Sequence, residues 1–197
     1  SAVSASTTNI NNVSCFGGIN GVISTSVTGG TGLYTYAINL GPNQLSPIFG
    51  SLSIGTYTIK VTDANGCIKT ETTTITQPTQ IVATATPTNV TCFNACDGKI
   101  NANIVGGTAP YNLLWSNGST SNPVTGLCVG SYSVTITDAN GCIKTTTSVI
   151  TQPTQLISNP TASSNTICIG QQSIINSNLF GGTAPYIMES LVQNGNM

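Results

Sequence analysis

The sequence predicts an all-β chain of tandem sandwich modules, and three observations predict it. The string TDANGCIK occurs at Thr62 to Lys69 and again at Thr137 to Lys144, 75 residues further on, so the chain is an array of modules. Apolar residues alternate at period two within each copy, the spacing of half-buried strands. Gly, Pro and Asn interrupt these runs every few residues, and no window of eleven residues carries a helical stripe.

Two further strings set the module boundaries. ITQPTQ recurs at Ile75 to Gln80 and Ile150 to Gln155, and GGTAPY at Gly106 to Tyr111 and Gly181 to Tyr186. The chain therefore reads as repeat 1 over residues 1–80, repeat 2 over 81–155 and an incomplete repeat 3 over 156–197. Cys15, Gly29, Gly30 and Tyr34 match Cys92, Gly106, Gly107 and Tyr111, which match Cys168, Gly181, Gly182 and Tyr186. Repeat 3 lacks its own G-x-Y and DANGC segments, so it is either truncated or completed by another chain. The opening SAVSASTTNI has neither Met nor the charged and apolar regions of a signal peptide, and reads as the interior of a longer sequence.

Each strand follows from the alternation. In repeat 1 the alternation runs through Ile23, Thr25, Val27, then Tyr34, Tyr36, Ile38, then Tyr57, Ile59, Val61. Repeat 2 gives Ile100, Ala102, Ile104, then Tyr111, Leu113, Trp115, then Tyr132, Val134, Ile136, with Thr, Ser and Asn on the outward positions. Turns are marked by GGTG and GGTAP, by Ser116 to Gly118, and by DANG at Asp63 to Gly66 and Asp138 to Gly141, where Asn-Gly suits a hairpin. Six or seven short strands in about 75 residues point to an immunoglobulin-like sandwich. The G-x-Y entries at Gly55 to Tyr57 and Gly130 to Tyr132 are placed for tyrosine corners. The repeated TQPTQ is too short and too Pro-bound for a flexible tether, so successive modules are expected to form a semi-rigid rod.

Modules this small need help beyond a core, and seven cysteines distributed by repeat read as disulfides formed in an oxidising compartment. Repeat 1 holds only Cys15 and Cys67, matched by Cys92 and Cys142, which suggests a bridge from the beginning to the end of each module: Cys15–Cys67 and Cys92–Cys142. Repeat 2 adds Cys96 and Cys128, expected to pair with each other. Cys168 is left unpaired in this segment. Zinc at Cys92 and Cys96 is disfavoured, since the chain has no His and no second half-site.

Charged residues make up 5% of the chain, net charge is −1, and there is no Arg, which removes the basic footprint of nucleic-acid binding. No apolar run approaches a membrane span. Without His and with only five acids there is little from which to build catalysis, so no catalytic or cofactor-binding residue is expected. Asp63 and Asp138 hold equivalent turn positions; they read as Asx-turn residues, with calcium at a module junction as the functional alternative. Trp115 reads as a core ring; the alternative is that Trp115 or Tyr36 stacks on sugar. Asn12, Asn89 and Asn117 lie in N-x-S/T sequons, a motif frequent by chance in so Asn- and Thr-rich a chain. No lysine is flanked by a motif for an isopeptide partner.

In their order, VSCFGG (Val13 to Gly18), VTCFNACDG (Val90 to Gly98), GGTAPY, WSNG (Trp115 to Gly118), GSYSVTITDANGC (Gly130 to Cys142) and the closing TQP resemble the SprB repeat, found in long cell-surface adhesins of gliding Bacteroidetes. The resemblance implies an extracellular β-sandwich segment of an adhesin or filament, serving attachment or surface motility, and no catalytic residues. Expected partners are neighbouring copies of the module or chain and surface polysaccharide, with neither nucleic acid nor membrane insertion. A carbohydrate-binding module appended to a secreted enzyme is the alternative.

Overall fold

A computed structural model of the chain describes residues 2–163, 168 and 174–186. All regular structure among them is β. Repeat 1 contributes β1 (Ser4–Asn11), β2 (Gly21–Thr28), β3 (Thr35–Ile38), β4 (Ile48–Leu52), β5 (Gly55–Thr62) and β6 (Ile68–Ile75). These form two three-stranded antiparallel sheets, β1-β2-β4 and β3-β5-β6. Taking the six strands as A, B, C, E, F and G, the sheets are A-B-E and C-F-G, the immunoglobulin arrangement without strand D.

The alternation seen in sequence is what closes this sandwich. Ile59 and Val61 of β5 point inward with Ile23 of β2 and Ile75 of β6, all fully buried, while Thr58 and Lys60 lie on the opposite face. Ala5, Val13, Tyr36 and Phe49 complete the core from both sheets. The tyrosine corner is present at the turn from β4 into β5, where the Tyr57 hydroxyl donates to Ser53 O at 2.9 Å. In repeat 2 Tyr132 donates to Cys128 O at 3.1 Å in the same way.

Repeat 2 supplies β7 (Val82–Thr88), β8 (Gly98–Val105), β9 (Asn112–Trp115), β10 (Val124–Leu127), β11 (Gly130–Thr137) and β12 (Ile143–Ile150), in sheets β10-β8-β7 and β12-β11-β9. This is the strand order of repeat 1 again. Trp115 ends β9, the C strand, 2% exposed, with its indole N–H on Ser121 O at 2.9 Å. Repeat 3 contributes short pairs: β13 (Ile157–Ser158) with β16 (Leu179–Phe180), and β14 (Thr161–Ala162) with β15 (Ile175–Asn176).

The chain divides into two compact units that cut across the repeats. One comprises Ser1–Thr84 with Ile104–Leu114 and Thr135–Thr145; the other comprises Ala85–Asn103, Trp115–Val134 and Thr146–Met197. The Gly-Gly-Thr loop and TDANGC hairpin of repeat 2 thus group with repeat 1.

One core position carries a polar cost. Thr25 of β2 is buried and its hydroxyl has no hydrogen-bond partner. Replacing it by Val removes an unsatisfied polar atom at nearly constant shape, so Thr25→Val is expected to raise stability by about 1 kcal/mol in denaturant unfolding.

Candidate functional site at the cysteine junction

The structure concentrates polar chemistry where the end of repeat 1 meets the loop and hairpin of repeat 2, all within the first compact unit. The ITQPTQ end of repeat 1 is tied to its own Cys15 loop: Val13 N donates to Thr76 O, Thr76 N to Asn12 Oδ1, and Gly17 N to Gln77 Oε1 at 2.8 Å. The residues that follow receive the Gly-Gly-Thr loop of repeat 2. Gly107 N donates to Thr79 O at 2.9 Å, and the Gly106 Cα lies so close to Gln80 that an added Cβ would sit 2.0 Å from its carbonyl oxygen. With φ at 76° as well, only glycine fits at Gly106. Tyr111 then pins the loop by donating to Gly106 O at 2.6 Å.

Asp138 joins this loop to the hairpin. Its Oδ2 accepts from Thr108 N, and its Oδ1 accepts from Asn140 N and Cys142 N, all at 2.9 Å. Burial pushes the Asp138 carboxyl up, but the three N–H donors outweigh it and hold it below the ordinary carboxylate value. Asp63 repeats the clamp with Thr31 N, Asn65 N and Cys67 N, and these N–H groups, Thr31 first, likewise lower its pKa. A carboxylate ringed by N–H donors is the reverse of a cation site, where further oxygen acceptors must converge. Among the described residues no cluster of three or more His, Cys, Asp or Glu side chains forms. Asp63 and Asp138 thus direct their carboxylate oxygens to backbone N–H groups of the loop and hairpin.

Loop and hairpin together carry Cys142 onto the Cys15 loop. Asn140 Nδ2 donates to Ser14 O at 3.0 Å, and Cys15 and Cys142 form a disulfide with a Cα–Cα distance of 5.6 Å across 127 residues. This overturns the expected pairs Cys15–Cys67 and Cys92–Cys142. The reason is strand length. Cys67 precedes β6 while the Cys15 loop is bonded to residues just after it, and the eight residues of β6 span roughly 25 Å. A disulfide tolerates a Cα separation of no more than about 7 Å. Within one module the two cysteines lie at opposite ends, and the partner comes from the next repeat. Cys96 and Cys128 do form a bridge, while Cys67, Cys92 and Cys168 are free and exposed.

The sugar-stacking alternative also meets a correction. Trp115 is 2% exposed and Tyr36 7%, so neither offers a ring face to a glycan. The sequon residues serve locally: Asn12 and Asn89 accept Thr76 N and Thr151 N, and Asn117 accepts Ser119 N. Asp97 takes the Thr91 hydroxyl at 2.5 Å and Thr91 N at 3.0 Å, hydrogen bonds that lower its pKa.

Sequence reasoning missed Gln77 and Asn140. Gln77 and its counterpart Gln152 both reach back to the Cys loop of their own repeat, Gln152 accepting Asn94 N at 2.9 Å, and their repetition in ITQPTQ was the available signal. Asn140 was legible only as a turn residue, because its second amide partner, Ser14 O, lies in another repeat.

Fold and junction together define a class, the tandem all-β repeat whose special chemistry is structural. Within that class, the SprB repeat family matches residues 7–43 and 84–120, and the chain is similar to it over these stretches. Each match runs from the first strand of a repeat through the Cys loop and Gly-Gly-Thr loop and past the third strand, and stops before the TDANGC hairpin. SprB repeats are found in cell-surface proteins. No curated protein matches the chain.

Two outcomes follow. Non-reducing peptide mapping will recover a Cys15–Cys142 linked pair, and Cys15→Ser with Cys142→Ser will lower stability by about 5 kcal/mol, the loop-closure value for a ring of this length. Because the folded pKa values of Asp63 and Asp138 are depressed, their contribution is complete above the ordinary value near 3.8 and is lost as pH falls through the lower folded values. Calorimetric melting temperature should hold steady from neutral pH to about pH 5 and drop below about pH 4, with a shallower drop in Asp63→Asn/Asp138→Asn.

Proposed function

We propose that the chain is a non-catalytic segment of an extracellular adhesin or filament at a bacterial cell surface, in which successive repeats are bonded covalently end to end. The observation that carries this reading is the Cys15–Cys142 disulfide, which joins the Cys loop of one repeat to the hairpin of the next. A bridge placed there makes the array cohesive: pulling on one repeat loads a covalent bond to its neighbour as well as the TQPTQ connection. A nearly uncharged surface of Thr, Ser, Asn and Gly and a cross-linked backbone suit a protein exposed to proteases and shear. The Asp63 and Asp138 carboxylates each accept three backbone N–H groups, and so are engaged in holding the fold rather than free for proton transfer. Attachment or surface motility is the task such a segment serves, with copies of the same module and surface polysaccharide as its partners.

The test is localisation. Antibodies raised against the segment should label intact cells that produce it, and external protease should abolish the label; labelling that appears only after permeabilisation would defeat the reading.

A further inference from the structure

The cleft at the end of repeat 1 has a counterpart at the end of repeat 2. The first, about 350 Å³, is formed by Cys15, Phe16, the Pro78–Ile81 segment and Gly107, and is closed by hairpin residues from Asp138 to Lys144. The second, about 470 Å³, is formed by the equivalent Cys92, Phe93, Pro153–Leu156 and Gly182. Among the described residues its lining includes no hairpin residue, and it lies wholly within the second compact unit.

The rest of the seat is already in place. Gly182 N donates to Thr154 O at 2.9 Å, as Gly107 N does to Thr79 O, and a Cβ on Gly181 would come within 2.1 Å of Gln155 O. Tyr186 donates to Gly181 O as Tyr111 does to Gly106 O. Gln152 accepts Asn94 N and so orders the Cys92 loop as Gln77 orders the Cys15 loop. Thr183, on the cleft, is the counterpart of the Thr108 that donates its N–H to Asp138. Each contact that seats the Gly-Gly-Thr loop and orders the Cys loop in the first cleft thus has its equivalent in the second, and the Cys92 thiol there is free and exposed.

We propose that the Cys92 cleft is a docking site for the Thr-Asp-Ala-Asn-Gly-Cys hairpin of a further repeat, and that the hairpin cysteine closes a disulfide with Cys92. The hairpin aspartate accepts Thr183 N, its asparagine amide reaches Thr91 O, and its cysteine meets Cys92. With a small-molecule disulfide such as oxidised glutathione as oxidant, both thiols give up their protons, one S–S bond forms, and two molecules of reduced glutathione leave. A whole second copy is not the occupant, because the Gly-Gly-Thr loop of repeat 1 belongs with its own hairpin through Asp63, and the loop seat here is already held by Gly181 and Gly182. The proposal deepens the covalent-array reading and rests on the Cys15–Cys142 junction.

The probe is the peptide TDANGCIK carrying glutathione on its cysteine, added to the full oxidised chain. A protein thiolate attacks the peptide sulfur, and glutathione departs as the thiol. Peptide mapping should place adduct at Cys92 at least about tenfold faster than at Cys67 or Cys168, and the preference should shrink for a scrambled peptide and for one with Asn in place of its Asp. Equal labelling of the three thiols by TDANGCIK and the scrambled peptide overturns the proposal. So do Cys67–Cys92 linked dimers formed without peptide, which assign the cleft to a second copy. If Cys15–Cys142 is intact in the same map, a failure at Cys92 leaves the array reading standing; if that bridge is missing, the array reading fails first.

Discussion

The aspartate clamp is the constraint on which the junction depends. A single carboxylate, Asp138, takes one N–H from the Gly-Gly-Thr loop and two from the hairpin, and so makes one rigid surface of two segments thirty residues apart. Without that link the loop would still reach Thr79 and Gln80, but the hairpin would be tied to it by no more of these groups than Ala139 N on Thr108 O and the Asn140 amide on Thr108 Oγ1. Bound to it, the thiol is delivered to Cys15 and the Asn140 amide to Ser14 O. The carboxylate performs this role because it is ionised and acceptor-only, able to take several donors where a neutral amide would present an N–H to N–H conflict.

Stabilisation is accordingly divided between two scales. Inside repeats 1 and 2, a sandwich of six strands buries a small core of Ile, Val and aromatic side chains, with tyrosine corners holding the turn into the fifth strand. Such a core is modest for its chain length. Between repeats, backbone hydrogen bonds, close glycine packing and a disulfide are layered on one another. The bridge acts mainly by restricting the unfolded chain, and because it spans two repeats it closes a longer loop than a bridge within one module would, about 127 residues instead of about 50.

The strands, the hairpins and the tyrosine corners were legible because each depends on local chemistry: period-two burial, Asn-Gly turns and a G-x-Y step. Trp115 was legible as core from its place on an alternating face. The pairing of Cys15 misleads for a definite reason. Aligning the repeats identifies which cysteines are equivalent, but equivalence is silent on whether equivalent positions meet within a copy or between copies. The length of β6, Ile68–Ile75, set against the reach of a disulfide is what excludes Cys15–Cys67, and strand length is itself a local property that the alternation encodes.

By itself the sequence determined the β class, the repeat period, the hairpin turns and the resemblance to SprB repeats, since periodicity and turn chemistry act over a few residues. Only the tertiary structure decided which thiols meet and where the carboxylates of Asp63 and Asp138 direct their oxygens. Those outcomes rest on segments far apart in the chain, a loop and hairpin about thirty residues apart within a repeat and, for the disulfide, the docking of that pair on the end of another repeat, and no local pattern encodes such a distance.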